Sequence, residues 1–86
     1  MNESDLKFFT WNVRGLNTAA RREELKLLIQ QSKPTIICLQ ETKLQAVDCF
    51  LAMEFLGPRY SGSFEFLPVD ATRGGVLIAW DKDLVV

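Results

Sequence analysis

The sequence predicts an α/β protein that opens with a βαβ unit, and three stretches predict it. Leu6–Val13 is rich in aromatic and β-branched residues, a capped amphipathic segment follows Thr18, and Thr35–Leu39 is an almost continuous apolar run. Aromatic and β-branched runs suit a pleated, half-buried strand. A short run without polar alternation suits a strand covered on both faces. Two strands separated by one helix are expected to lie parallel, because a parallel pair needs a crossover of this kind.

The first strand ends where Gly15 and Asn17 break the pattern. Thr18 is placed to cap the helix, its hydroxyl accepting a free N–H of the first turn. Leu25, Leu28 and Ile29 then follow at the i, i+3, i+4 spacing of one helical face. Pro34 stops the helix by disfavouring α conformation at Lys33. Beyond the second strand, Val47, Phe50, Leu51, Glu54 and Phe55 fit a short helix with an apolar face, ended by Gly57-Pro58. A strand is expected over Tyr60–Leu67, with Phe64 and Phe66 on one side and Ser63, Glu65 and Leu67 on the other. Pro68, Asp70, Arg73, Gly74 and Gly75 form a turn-rich loop. Val76–Trp80 reads as another buried strand, and Leu84-Val85-Val86 as the start of one more. An ending inside an apolar strand predicts a domain truncated at its carboxyl end. The organisation expected is a polar leader over residues 1–5 and a partial domain over residues 6–86.

Eighty-six residues suffice for a single small domain; at this size only roughly 60–65% of the unfolded chain's surface is buried on folding. With 48% hydrophobic and 24% charged residues, the chain has the composition of a globular protein and not of a disordered one. Ten basic and eleven acidic residues give a net charge of -1, which lacks the basic excess typical of a nucleic-acid-binding module. An enzyme that grips phosphate locally, with a metal, remains compatible with that balance. Met1-Asn2-Glu3-Ser4-Asp5 is polar and acidic, unlike a secretory or transit signal. No apolar stretch approaches the ~20 residues of a membrane span. Cys38 and Cys49 have neither metal-ligand nor redox spacing. These features together predict an intracellular protein, with nucleus and cytoplasm left undistinguished.

In a parallel βαβ unit, ligands gather beyond the carboxyl ends of the strands. Asn12 stands at that end of the first strand and Gln40-Glu41 at that end of the second. An amide and a carboxylate side by side suit Mg²⁺, a hard cation that keeps several waters and takes only one or two carboxylates. Each residue also has an ordinary reading, Asn12 as a turn former and Glu41 as a solvated surface acid. Arg14, Arg21 and Arg22 could contact phosphates or simply solvate the start of the helix. Gly74-Gly75 could admit a substrate to the backbone or form a tight turn before a strand. Neither GxxxxGK[ST] nor GxGxxG occurs, which argues against a nucleotide-binding loop.

The segment Phe9-Thr10-Trp11-Asn12-Val13-Arg14-Gly15-Leu16-Asn17, followed by a helix and then Ile37-Cys38-Leu39-Gln40-Glu41-Thr42-Lys43, resembles the start of the endonuclease/exonuclease/phosphatase superfamily. The later stretch from Phe66-Leu67-Pro68 through Thr72-Arg73-Gly74-Gly75 to Trp80 looks most like the endonuclease domains of plant LINE-type retrotransposons. The resemblance implies the amino-terminal part of a two-sheet α/β sandwich, and a Mg²⁺-dependent phosphodiesterase whose substrate is DNA. Carried over by position, it implies Glu41 as metal ligand and Asn12 beside it, helping to hold metal and scissile phosphate. Gln40 would be a supporting neighbour. Arg14, read from its own place beside Asn12 and not from the resemblance, is the candidate substrate-binding residue. The family also uses downstream GDFN-type and SDH-type motifs and a further histidine, whereas this chain has no histidine at all. General acid–base help is worth about 10²–10⁴-fold in rate, so the chain is expected to be inactive alone. Two other readings stand beside this one: a piece of a superfamily phosphatase acting on another phosphoester, or a non-catalytic remnant or binding module. No protein partner is implied.

Overall fold

The computed structural model describes residues 6–70 and 74–84. Its elements run β1 (Phe8–Asn12), α1 (Ala19–Ser32), β2 (Ile36–Gln40), α2 (Cys49–Leu56), β3 (Phe64–Leu67) and β4 (Val76–Trp80). The strands form one four-stranded sheet in the order β1-β2-β4-β3. β1 and β2 are parallel, with Asn12 opposite Gln40, and α1 is the crossover between them. β4 runs antiparallel to both β2 and β3. The fold is mixed α/β with the expected βαβ opening.

α1 begins and ends as its sequence dictates. Thr18 is extended, and its hydroxyl accepts the Arg21 N–H at 3.3 Å. At the other end Lys33 turns left-handed and donates its N–H to the Ile29 carbonyl, after which Pro34 prevents continuation. Leu25 and Ile29 are buried, each worth about 1.5–3 kcal/mol. Leu28, expected on the same face, is 37% exposed instead. The helix turns one stripe to the sheet, and the i, i+4 pair occupies its centre while Leu28 falls to the flank.

α2 is capped by Asp48, whose carboxylate accepts the Leu51 N–H, and it stops at Gly57 as expected. Its inward residues are Ala52, Phe55 and Leu56; Phe50, expected on the apolar face, is 82% exposed. The predicted strand over Tyr60–Leu67 is shorter than its sequence suggests, because residues 58–62 form turns and pairing begins only at Phe64. Tyr60 is buried in that turn, its hydroxyl donating to the Pro34 carbonyl at 2.5 Å. This ties the α2–β3 connection to the end of α1. Leu84 lies outside any strand, and Val85 and Val86, the rest of the expected further strand, lie outside the described residues, as do residues 1–5, Thr72 and Arg73.

The core is one cluster between the helices and one side of the sheet. It comprises Ile37, Leu39, Leu77 and Ala79 from the strands, Leu25 and Ile29 from α1, and Ala52, Phe55 and Leu56 from α2, closed by Val13, Leu16, Leu44 and Tyr60. β2 is therefore covered on one face only among the described residues. Ile36 and Cys38, on the other, are half-buried by their neighbours in the sheet, so the expectation of cover on both faces is not met. β4, which could have presented an unpaired apolar edge, is paired on both sides. No helix among the described residues is long and apolar enough to cross a membrane.

Candidate active site

The parallel pairing of β1 and β2 does not stop at the strand ends. Val13 N–H donates to the Gln40 carbonyl at 3.0 Å, Gly15 N–H to Glu41 at 2.8 Å and Leu16 N–H to Thr42 at 2.9 Å. On the opposite side, Thr42 N–H donates to the Gly75 carbonyl at 3.2 Å and Lys43 N–H to Gly74 at 2.7 Å. The segment Glu41–Lys43 is thus held between the loop after β1 and the glycine pair before β4. That clamping matters because Glu41 and Lys43 have φ of 55° and 58°, and Arg14 across from them has φ of 54°. Left-handed backbone at a non-glycine residue costs about 1–2 kcal/mol, and surrounding hydrogen bonds must offset it.

Within this frame Asn12 and Glu41 meet. The Asn12 Nδ2 donates to Glu41 Oε2, and the Arg14 N–H donates to Asn12 Oδ1 at 3.2 Å. The two contacts fix the amide's orientation: nitrogen toward the carboxylate, oxygen toward the turn. Asn12 and Glu41 are both half-buried, while Gln40 and Arg14 are exposed. Gln40 stands beside Asn12 in register on the same side of the sheet. The sequence-derived candidates are therefore gathered at one end of the sheet, although only Asn12 and Glu41 share a side-chain contact.

The donor chemistry fits a hard divalent cation in part. Glu41 retains Oε1, and Asn12 Oδ1 retains its second lone pair, so two oxygens remain for a metal that keeps most of its waters. Among the described residues there is no group of three or more His, Cys, Asp or Glu side chains that could hold a metal. The pair can form one side of such a site and supplies no evident general base.

Several contributors were not legible as site residues. Thr42 is fully buried, and a Cβ added to Gly75 would approach its Oγ1 to 2.6 Å. A Cβ on Gly74 would lie 3.0 Å from Glu41 Cγ. The glycine pair therefore admits the Glu41–Lys43 turn to close packing, and the doublet Gly74-Gly75 was its only sequence signal. Lys43 shares a concave surface with Arg14, Gly15, Asn17, Thr18 and Arg21 next to the Asn12–Glu41 pair. Arg22, grouped with Arg14 and Arg21 as a possible phosphate contact, is used internally. Its NH1 donates to the Leu16 carbonyl at 2.8 Å, and its Nε lies 3.1 Å from Glu54.

Residues 9–86 match the family described as Endonuclease/Exonuclease/phosphatase. The chain belongs to that family. Over 40 residues it is 40% identical to an exodeoxyribonuclease of Bacillus subtilis, which is 46% of this chain and 16% of that protein. The crystal structure of an AP endonuclease from Leishmania major superposes on 95% of the chain with a TM-score of 0.66 and 30% identity. The chain spans 27% of that nuclease's length. Both matched proteins are nucleases by name, and this chain spans a minor part of each.

Proposed function

We infer that Asn12 and Glu41 are two members of a Mg²⁺-dependent phosphodiesterase centre, and that the chain is the amino-terminal share of a DNA endonuclease of the retrotransposon type. The observation that carries the reading is the Asn12–Glu41 contact at the carboxyl ends of two parallel strands, where ligands of such units gather. A metal would be held by the Glu41 carboxylate with Asn12 Oδ1 beside it, and when bound it supplies a Lewis acid for a phosphate oxygen. Asn12 Nδ2 holds the Glu41 carboxylate at one rotation, and the Arg14 N–H keeps the amide from flipping. Lys43 and Arg14 place positive charge at the same rim. The retrotransposon branch is supported by the Arg73-Gly74-Gly75 stretch leading into β4.

Without a histidine the chain has no imidazole to move a proton or to meet charge developing on phosphate. We therefore expect metal binding without turnover. The absence of histidine equally favours the second reading, a non-catalytic module that retains the fold. Mn²⁺, used as a paramagnetic substitute for Mg²⁺, should selectively broaden the amide signals of Asn12, Glu41 and Thr42, and Glu41→Ala should abolish that selectivity. Uniform or absent broadening would remove the metal-site reading. Supercoiled plasmid incubated with the chain and Mg²⁺ should stay intact; nicking that Glu41→Ala abolishes would overturn the expected inactivity.

A further inference from the structure

A hollow of about 250 Å³ opens between the last turn of α1 and the turn that follows α2. It lies toward the amino end of β2, whereas Asn12 and Glu41 stand beyond the carboxyl ends of the parallel strands. Its floor is apolar and consists of Ile29, Leu56 and Tyr60, each no more than 2% exposed. Its rim is Gln30, Lys33 and Arg59, all exposed. Two of these rim residues are cations, and none of the lining residues is acidic. The phosphodiester reading uses none of them.

Each polar group here has a local task that leaves part of it over. The Tyr60 hydroxyl is taken by the Pro34 carbonyl, so the ring offers the hollow its apolar body. Arg59 Nη1 lies 3.1 Å from Asp81 Oδ2, whose side chain is 2% exposed. That contact anchors the guanidinium, yet Nε and Nη2 have no partner among the described residues. Lys33 closes α1 through its backbone N–H, and its ammonium has no carboxylate partner among the described residues. A cation at a helix's carboxyl end offsets the negative end of the dipole. That accounts for one positive charge, not for two at the rim of one apolar floor.

We propose that this hollow binds a small organic carboxylate with an apolar body, an aryl or short alkyl acid. The body covers Ile29, Leu56 and the Tyr60 ring, and the carboxylate takes charge-assisted hydrogen bonds from Arg59 and Lys33. Volume limits the occupant: drug-sized ligands fill about 300–1,000 Å³, so this one is a single ring or a chain of a few carbons. An inorganic anion leaves the floor bare, and a neutral hydrocarbon leaves the cations unused. The site shares no residue with the Asn12–Glu41 centre and stands or falls without it.

Phenylacetate is the probe. Titrated into the full chain and followed by amide NMR, it should give saturable shifts at Gln30, Lys33, Arg59 and Tyr60, and none at Asn12 or Glu41. Phenylacetamide keeps the shape without the charge, and acetate keeps the charge without the ring; each should bind several-fold more weakly. Lys33→Gln should weaken phenylacetate binding several-fold. Gln30→Lys adds a cation to the exposed rim and should tighten it, a gain that a damaged fold cannot produce. No saturable shift with phenylacetate, equal binding of phenylacetamide, or unchanged affinity in both variants would overturn the site. Shifts centred instead on Phe8 and Ile78 would show the ring adhering to the exposed sheet face, and would overturn it as well.

Discussion

The two faces of the sheet are built from the same strands, one residue out of step, and they differ sharply. Toward the helices, Ile37, Leu39, Leu77 and Ala79 are fully buried. On the other side Phe8, Ile78 and Leu67 are 68%, 44% and 52% exposed, with Ile36, Cys38, Val76 and Trp80 half-buried among them. The open face also carries Thr10, Asn12, Gln40 and Glu65, yet along the middle of β2 and β4 it is apolar. An antiparallel sheet with one wet face usually alternates apolar and polar residues; β2 and β4 do not. Their composition is that of a layer with cover on both sides. Asn12 and Gln40 project at the rim of this open face, in register with each other.

The strongest way to break the comparison is to cut equally on both sides. Leu39→Ala removes a fully buried side chain in contact with the core and should cost about 2–5 kcal/mol, read as a fall in urea midpoint with little change in m. Cys38→Ala, its immediate neighbour on the open face, should cost less than about 1 kcal/mol. Equal losses would mean that both faces are packed and that the asymmetry is illusory.

Tyr60 sharpens the covered side at its margin. Tyr60→Phe leaves the Pro34 carbonyl without its donor inside the protein, a loss of about 1–3 kcal/mol. Its pH signature is distinctive. Burial raises the Tyr60 pKa above 10.0, the Asp81 charge raises it further, and Arg59 opposes them. Above pH 10.0 the unfolded chain releases this proton while the folded chain retains it. The unfolded state then binds fewer protons, so stability falls from that pH upward until the folded pKa is passed. The phenylalanine variant should lack this tyrosine-linked fall in denaturant midpoint across the alkaline range; an identical fall in both proteins would contradict it.

The rim where the faces meet depends on backbone more than on side-chain burial. Gly75→Ala imposes a Cβ on φ of 86° and on Thr42 Oγ1. The conformational term alone is about 1–2 kcal/mol. Its amide spectrum should shift at Glu41, Thr42 and Lys43 ahead of any core residue. Changes confined to residues around position 75 would show that the glycine does not support the Glu41 turn.

The βαβ opening and the meeting of Asn12 with Glu41 were legible because each depends on local signals: a cap, a period, a proline and the register of two parallel strands. What stayed hidden depends on contacts distant in sequence. Tyr60 has the aromatic character of a strand residue, yet its hydroxyl partner is Pro34, so a turn prevails over strand propensity. Gly74 and Gly75 carried a turn signal, and their close approach to Glu41 and Thr42 followed only from the pairing around β4. Phe50 satisfied the helical period of α2 but lies on the far side from Phe55. Periodicity identifies a stripe; it does not identify which neighbour covers it.

The smallest expected effect is the most discriminating for the open face. Ile78 sits in the middle of that face, opposite Cys38 on β2 and Glu65 on β3. If water is its neighbour, Ile78→Thr should change folding stability by no more than about 0.5 kcal/mol, since threonine keeps the β-branched shape that a strand favours. The same change should lower the binding of a hydrophobic dye and reduce self-association at high concentration, because the contiguous apolar patch is interrupted at its centre. A loss of more than about 1 kcal/mol, with dye binding unaltered, would show that Ile78 is already packed in solution. The apolar content of β2 and β4 would then reflect a layer the chain provides for itself.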